Sequence, residues 1–346
     1  MSPVALDWHS FYGWVAIGLF AGIISFLACN VALVWARSAG MLIEPGQRQS
    51  HTVATPTGGG LGILFCLALT SLCLQPVLPL PGFWWLGVLP GILVLGFVGW
   101  RDDRQTVSPV LRLFVQLAVS IWLLGFSTLQ FSWSETGWLI AGVVAMVWSM
   151  NLYNFMDGSD GMAGAQGVFA GLVMAVLFNL NGQSTMALLA LAVAAACTGF
   201  LVLNFPPARV FMGDVASVPL GFIFAAFSDY GLQTGAFGLY VVVLVMAVFI
   251  IDATMTLLTR VIRGEQWYTA HAQHVYQRLI VQGWSHRRVL VVYQVINLAV
   301  VLPAIVLTEK YPQKAMLTSG LTLLLLAASW YFANRRLGML AKVQKI

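Results

Sequence analysis

The sequence predicts an all-α, polytopic membrane protein, and three observations predict it. Of 346 residues, 60% are hydrophobic and only 8% are charged, whereas a soluble domain carries about 25% charged residues. The apolar residues gather into eleven separate runs, most of them near the roughly 20 residues that cross a bilayer as a helix. Nearly all the charges fall in the short gaps between runs. This composition excludes a disordered chain, a disulfide scaffold and a nucleic-acid module. The net charge of +5 reads as the positive-inside bias of a membrane protein, with no nucleic-acid partner. Cys29, Cys66, Cys73 and Cys197 all lie inside apolar runs without metal-ligand spacing, as small buried hydrophobes do.

In order, the runs are approximately 14–35, 60–78, 83–99, 110–126, 137–154, 163–179, 186–203, 215–227, 237–258, 289–307 and 315–332. Each is expected to be one transmembrane helix, about eleven in all, within a single domain over 1–346. The run 215–227 is short, and Pro79 and Pro81 join two runs tightly, so ten spans stay open. The first run is longer than a cleaved leader and lacks its basic flank. With the N-terminus outside, the inside gaps and the run edges beside them hold every Arg plus Lys342 and Lys345, and the outside gaps hold only Lys310 and Lys314. That bias predicts N-out and C-in. Asp102, Asp103, Asp157, Asp160, Asp214, Glu44 and Glu265 share the inside face with the arginines. The chemistry is therefore expected at the cytoplasmic surface, in loops at about 37–59, 100–109, 154–162, 204–214 and 259–288.

Several residues in these loops resist a bland reading. Asp102 and Asp103 follow a span between Arg101 and Arg104. As neighbours they cannot share a helix face, and they read either as a solvated loop or as a metal- or phosphate-facing pair. Asn151, Asn154 and Asp157 recur at i, i+3 spacing, on one face of a span end. Gly158, Gly161 and Gly164 follow, and polar residues at membrane depth are usually functional. Asp214 precedes an apolar run, where it either N-caps the next helix or holds a divalent cation. Mg²⁺ needs only one or two carboxylates when substrate phosphates and water complete its shell. His271, His274 and Arg278 fall at i, i+3, i+7, a cationic face suited to phosphate, whereas His286, Arg287 and Arg288 read as an ordinary basic juxtamembrane segment. Arg48 and His51 precede Gly58–Gly60, whose N–H groups could cradle a phosphate. Asp252 lies within a span and reads as a buried partner for an inside loop. Carboxylates for a cation, basic and glycine-rich elements for phosphates, and a membrane from which lipid can enter together fit phosphoryl transfer to a lipid, where the protein mainly positions groups and neutralises charge.

The segments RQSHTVATPTGGG, DDR, NLYNFMDGSDGMAG, NFPPARVFMGD and HAQHVYQRL, in this order between Arg48 and Leu279, resemble the motifs of the polyprenyl-phosphate N-acetylhexosamine-1-phosphate transferases, glycosyltransferase family 4. The resemblance implies a bacterial inner-membrane enzyme with a UDP-amino-sugar donor, an undecaprenyl-phosphate acceptor and Mg²⁺, with Mn²⁺ as an open substitute. Its products would be a polyprenyl-diphosphate sugar and UMP. By matching position, Asp102 and Asp103 are the expected catalytic pair facing the lipid phosphate. Asp214 is the expected magnesium ligand, with Asn154 as the second. Asp157, Asp160 and Asn204 are expected at the nucleotide. His271, His274, Arg278, Arg48 and His51 are expected at the phosphates and sugar. Gln273 replaces the middle histidine of the family's His-x-His-His pattern, which argues against the muramoyl-pentapeptide branch. The His-x-x-His-x-Tyr-Gln form is closer to the branch that initiates O-antigen synthesis. A homodimer stays open. The alternative from another class is a transporter or flippase that uses Asp252 and the polar loops as an ion path. The acids cluster at one surface rather than at the midplane where transporter sites lie, which favours the enzyme.

Overall fold

The computed structural model describes residues 11–43, 54–125, 136–266 and 272–343. Apart from one antiparallel pairing of β1 (Leu42–Ile43) with β2 (Thr55–Pro56), these residues build helices and their turns. The helices are α1 (Phe11–Ser38), α2 (Leu61–Leu74), α3 (Leu89–Arg104), α4 (Pro109–Gly125), α5 (Thr136–Met156), α6 (Met162–Leu180), α7 (Ser184–Asn204) and α8 (Asp214–Thr234). They continue as α9 (Leu239–Val245), α10 (Ala247–Ile262), α11 (Val275–Val281), α12 (His286–Ile296), α13 (Leu302–Lys310) and α14 (Ala315–Val343). A π-helical turn, Asn297–Val301, joins α12 to α13 into one long segment.

Every apolar run contains helix, and the protein is an all-α polytopic membrane protein. By length and composition, fewer than eleven helices qualify as spans among the described residues. Among the described residues, eight helical segments are long and apolar enough to cross a membrane. α9 and α10, bent by 77° at their junction, make a ninth when taken as one broken span. The difference from eleven lies in α2 and α4, which have 14 and 17 residues; α4 is described only to Gly125.

α7 and α8 are the interior of the bundle, each 72% buried over its most apolar stretch, against 33% for α1. A helix apolar on all sides must be enclosed or face lipid. α1 and α14 face outward, with Leu27, Val31, Leu324 and Leu325 exposed. Between lipid-embedded helices, small residues let backbones approach closely, and two such contacts place the site. Gly99 of α3 lies against the backbone of Asp214 and Val215, and Gly221 of α8 lies against that of Ser149 and Met150 in α5. A side chain at either glycine would separate the helix ends that carry the polar residues.

Candidate active site

The site starts at the entry to α8. Gly213 takes φ +79°, a left-handed conformation that glycine adopts without a Cβ clash, so the chain turns abruptly into the helix. Helix entries expose backbone N–H groups that need acceptors. Here the acceptor comes from another helix: Asp103 Oδ1 accepts from Asp214 N–H at 2.9 Å, and Oδ2 from Val215 N–H at 3.2 Å. Asp214 is therefore the first residue of α8 and not its cap, so the capping alternative from sequence is corrected, and its carboxylate is available for other work.

Asp102 points elsewhere, as adjacent helical residues must. Its Oδ1 accepts from Val107 N–H at 2.6 Å and its Oδ2 from Arg112 Nη1 at 2.6 Å. The same Arg112 Nη1 lies 3.2 Å from Asp214 Oδ2. On the other side, Asn154 Nδ2 donates to Asp214 Oδ1 at 2.7 Å and meets Ser217 Oγ at 3.1 Å. Asp157 accepts from the Gly213 N–H, and its carboxyl is pushed well above the usual carboxylate range, first by burial and then by the charges of Asp214 and Asp103. The structure thus groups Asp157 with Asp103 and Asp214, although the sequence assigned it to the nucleotide with Asp160. Asn151 turns away, donating to Gln116 Oε1 at 2.8 Å. Four carboxylates converge on this centre and Arg112 bridges two of them. Among the described residues, no three His, Cys, Asp or Glu side chains form a complete metal cage.

A second polar cluster ties the 157–162 loop to the 204–213 loop. Asn204, 3% exposed, accepts from Gly161 N–H at 2.8 Å and donates to Val210 C=O at 2.9 Å, so both ends of its amide hold loops together. Asp160 Oδ2 accepts from Ala208 N–H at 2.9 Å, and its Oδ1 lies 3.5 Å from His286 Nδ1. The His286 ring also meets Ser159 Oγ at 3.0 Å. His286 is therefore part of the motif loops and not a solvated juxtamembrane residue. The Gly58–Gly60 reading also changes: Gly59 N–H donates to Phe211 C=O at 2.9 Å and Gly60 N–H to Met212 C=O at 3.0 Å. These donors brace the loop before Asp214 rather than cradling a phosphate. Arg48, His51 and His271 lie outside the described residues.

α11 does not present the single cationic face expected from its spacing. His274, 3% exposed, stacks between Phe155 and Tyr276. Burial holds its imidazole below the usual histidine range despite the opposing charge of Asp252. Arg278 instead reaches α14, donating to Asn334 Oδ1. Asp252 is the buried loop partner that the sequence suggests. It accepts from Val275 N–H at 2.9 Å, Tyr293 Oη at 2.6 Å and Trp330 Nε1 at 3.1 Å, and so fastens α11, α12 and α14 to α10.

Arg112 and His286 are the residues that sequence reasoning missed. Arg112 did carry a signal: a lone cation in an otherwise apolar helix is costly and asks for a partner. His286 carried none, since its partners lie 126 and 127 residues away.

A helical bundle with its carboxylates, amides and bridging arginine gathered at the ends of four helices is the build of a membrane-embedded enzyme. Residues 85–232 match glycosyl transferase family 4. The chain is similar to a probable undecaprenyl-phosphate N-acetylglucosaminyl 1-phosphate transferase of Bacillus subtilis, 27% identical, covering 78% of this chain and 77% of the relative. It is 30% identical to a decaprenyl-phosphate N-acetylglucosaminephosphotransferase of Mycolicibacterium smegmatis, covering 80% and 78%. It is also 30% identical to a phospho-N-acetylmuramoyl-pentapeptide-transferase of Halalkalibacterium halodurans, covering 73% and 83%. The chain belongs to the polyprenyl-phosphate hexosamine-1-phosphate transferases of glycosyl transferase family 4.

Proposed function

We propose that the protein transfers an N-acetylhexosamine-1-phosphate, or a related amino-sugar-1-phosphate, from a UDP-sugar to undecaprenyl phosphate, releasing UMP and initiating O-antigen or another envelope polysaccharide at the cytoplasmic face of the inner membrane. The observation that carries the reading is Arg112, on which Asp102 and Asp214 converge from two segments far apart along the chain. It joins the paired-aspartate motif to the Met-Gly-Asp motif in one charged centre.

The residues fit Mg²⁺. Asp157 is pushed towards its protonated form by burial and by its carboxylate neighbours, which is what a centre short of positive charge does to its acids. Asp214 and Asn154 would hold the ion, and Asp157 adds charge beside them. When bound, the ion would neutralise the donor diphosphate and the leaving UMP. Asp102 is the residue that takes any remaining acceptor proton and aligns the phosphate. A phosphate monoester loses its second proton near pH 6, so a base helps without being obligatory. Arg112 orients the acceptor phosphate, since a guanidinium fork matches phosphate oxygens. Asp103 acts through α8, fixing where Asp214 stands. The acceptor oxygen attacks the β-phosphorus directly, the bond to the UMP oxygen breaks, and the configuration at phosphorus inverts. Asp160, Asn204 and His286 shape the nucleotide end.

The test is UMP release from a panel of UDP-amino sugars by the purified protein with undecaprenyl phosphate. Release that requires both lipid phosphate and Mg²⁺ is expected. Failure with every donor would overturn the reading, and a stoichiometric UMP burst without acceptor would overturn its direct step.

A further inference from the structure

We propose that the cleft between α10, α11 and the end of α14 is a second anion site, which takes the phosphate headgroup of an anionic membrane lipid. The cleft has a volume of about 750 Å³ and is lined by Arg263, Arg278, Arg335, Glu265, Tyr331 and Asn334, among others. Its one acid is already matched: Glu265 accepts from Gln273 Nε2 at 2.8 Å and lies 3.7 Å from Arg260 Nε. Among the described residues, Arg263, Arg278 and Arg335 form no ion pair with a carboxylate. Arg278 is held in place by Asn334, and burial together with the charge of Arg263 lowers its pKa from the usual value. Three guanidiniums facing one polar cleft are a phosphate-binding arrangement, because the planar fork meets phosphate oxygens in pairs.

The cleft is not the aspartate centre. Tyr276 Oη donates to Phe155 C=O at 2.9 Å, so that side of α11 faces α5 and the motif loops. Arg278 follows two residues later, about 200° around the helix axis, and faces α14. The surroundings point to lipid. Tyr331 and Phe332 are 51% and 66% exposed, and Leu321, Leu324 and Leu325 continue the exposed apolar surface of α14 away from the cleft. A tyrosine at the rim and acyl-facing leucines next to it suit a lipid whose headgroup enters the cleft. Basic pockets between helix ends bind such headgroups.

The experiment uses the full chain in phosphatidylcholine nanodiscs with and without phosphatidylglycerol, and native mass spectrometry reads the lipid retained after detergent extraction. Wild type is expected to retain phosphatidylglycerol in preference to phosphatidylcholine. The double variant R263Q/R335Q is expected to lose that preference by roughly 30-fold, two arginines' worth of headgroup attraction. Arg336→Gln, beside the cleft but not lining it, should keep it. Should the double glutamine variant fail to fold, the single variants R263Q and R335Q are each expected to lose the preference by roughly fivefold. Displacement by millimolar inorganic phosphate would show that the site takes free phosphate and would overturn the lipid source. Equal retention by wild type and R263Q/R335Q would overturn the site itself.

Discussion

Two carboxylates in this molecule do the same structural job in opposite surroundings. Asp103 of α3 caps α8, and Asp252 of α10 caps α11, each by accepting from backbone N–H groups of another helix. Around Asp252 the neighbours are donors, the Tyr293 hydroxyl, the Trp330 indole and the Thr256 hydroxyl, with the His274 ring 3.9 Å away. Around Asp103 stand Asp102, Asp157 and Asp214, with Arg112 bridging two of them. A carboxylate enclosed by donors is complete as it stands. A carboxylate enclosed by other carboxylates is a centre that gains from an added cation. Burial follows the same difference, since Asp252 is 2% exposed and Asp103 is half-buried.

The contrast breaks most visibly at Asp214. Because Asp103 supplies the cap, Asp214→Asn should leave thermal unfolding nearly unchanged while transfer falls by about 10³-fold, the several kcal/mol that a metal's charge stabilisation is worth. Activity within a few-fold of wild type would remove Asp214 from the centre. Stability should show the reverse order. Asp252→Ala strands several buried donors at about 1–3 kcal/mol each, whereas Asp103→Ala loses a cap worth about 1 kcal/mol and relieves repulsion. Unfolding in detergent that ranked Asp103→Ala as the more damaging would invert the comparison.

The pH dependence sharpens it further. Asp157 has a raised pKa, so its contribution to stability is present below its unfolded value of about 3.9 and is lost as pH rises through the raised folded value. Asp157→Asn should then be more stable than wild type at neutral pH without divalent cation, and the gap should close when Mg²⁺ is added. His274 has a lowered pKa. Its contribution is present above about 6.5 and is lost as pH falls through the lower folded value, so His274→Gln should flatten the acid limb of the stability profile. Thermal unfolding across pH measures both, and a parallel shift at every pH would sink either assignment. The smallest effect is at the nucleotide end: Asp160→Asn should raise the donor KM severalfold with kcat nearly constant, because that contact serves ground and transition states alike. A pure kcat defect would place Asp160 in the chemical step.

Much of the fold was legible because membrane helices announce themselves by composition. All eleven apolar runs contain helix, and the motif loops fall at helix ends as the charge pattern suggests. The count of spans was less legible, since α2 has only 14 residues where its run alone looks sufficient. At the site, periodicity placed Asn154 and Asp157 correctly near one another but could not say that Asn151 turns to Gln116. The grouping of His274 with Arg278 failed because a helical wheel shows which residues share a stripe, not what packs against it: Phe155 and Tyr276 enclose the histidine, while Asn334 draws the arginine outward. Arg112 and His286 act across more than 100 residues of chain, and local sequence carries no record of such pairings.

The Asp102–Asp103 dipeptide also sets how the chain tolerates length change. One residue grips the start of α8 and the other grips Arg112, so the pair works as an angular gauge between two helices. A single residue inserted earlier in the last turn of α3 would rotate both side chains by about 100° and detach both grips together. The same insertion after Arg104, in the turn that leads to α4, would spare the grip of Asp103 on α8 and disturb only Asp102, whose Oδ1 accepts from Val107 N–H in that turn. Insertions should therefore be most damaging before this dipeptide and less so in the turn beyond it.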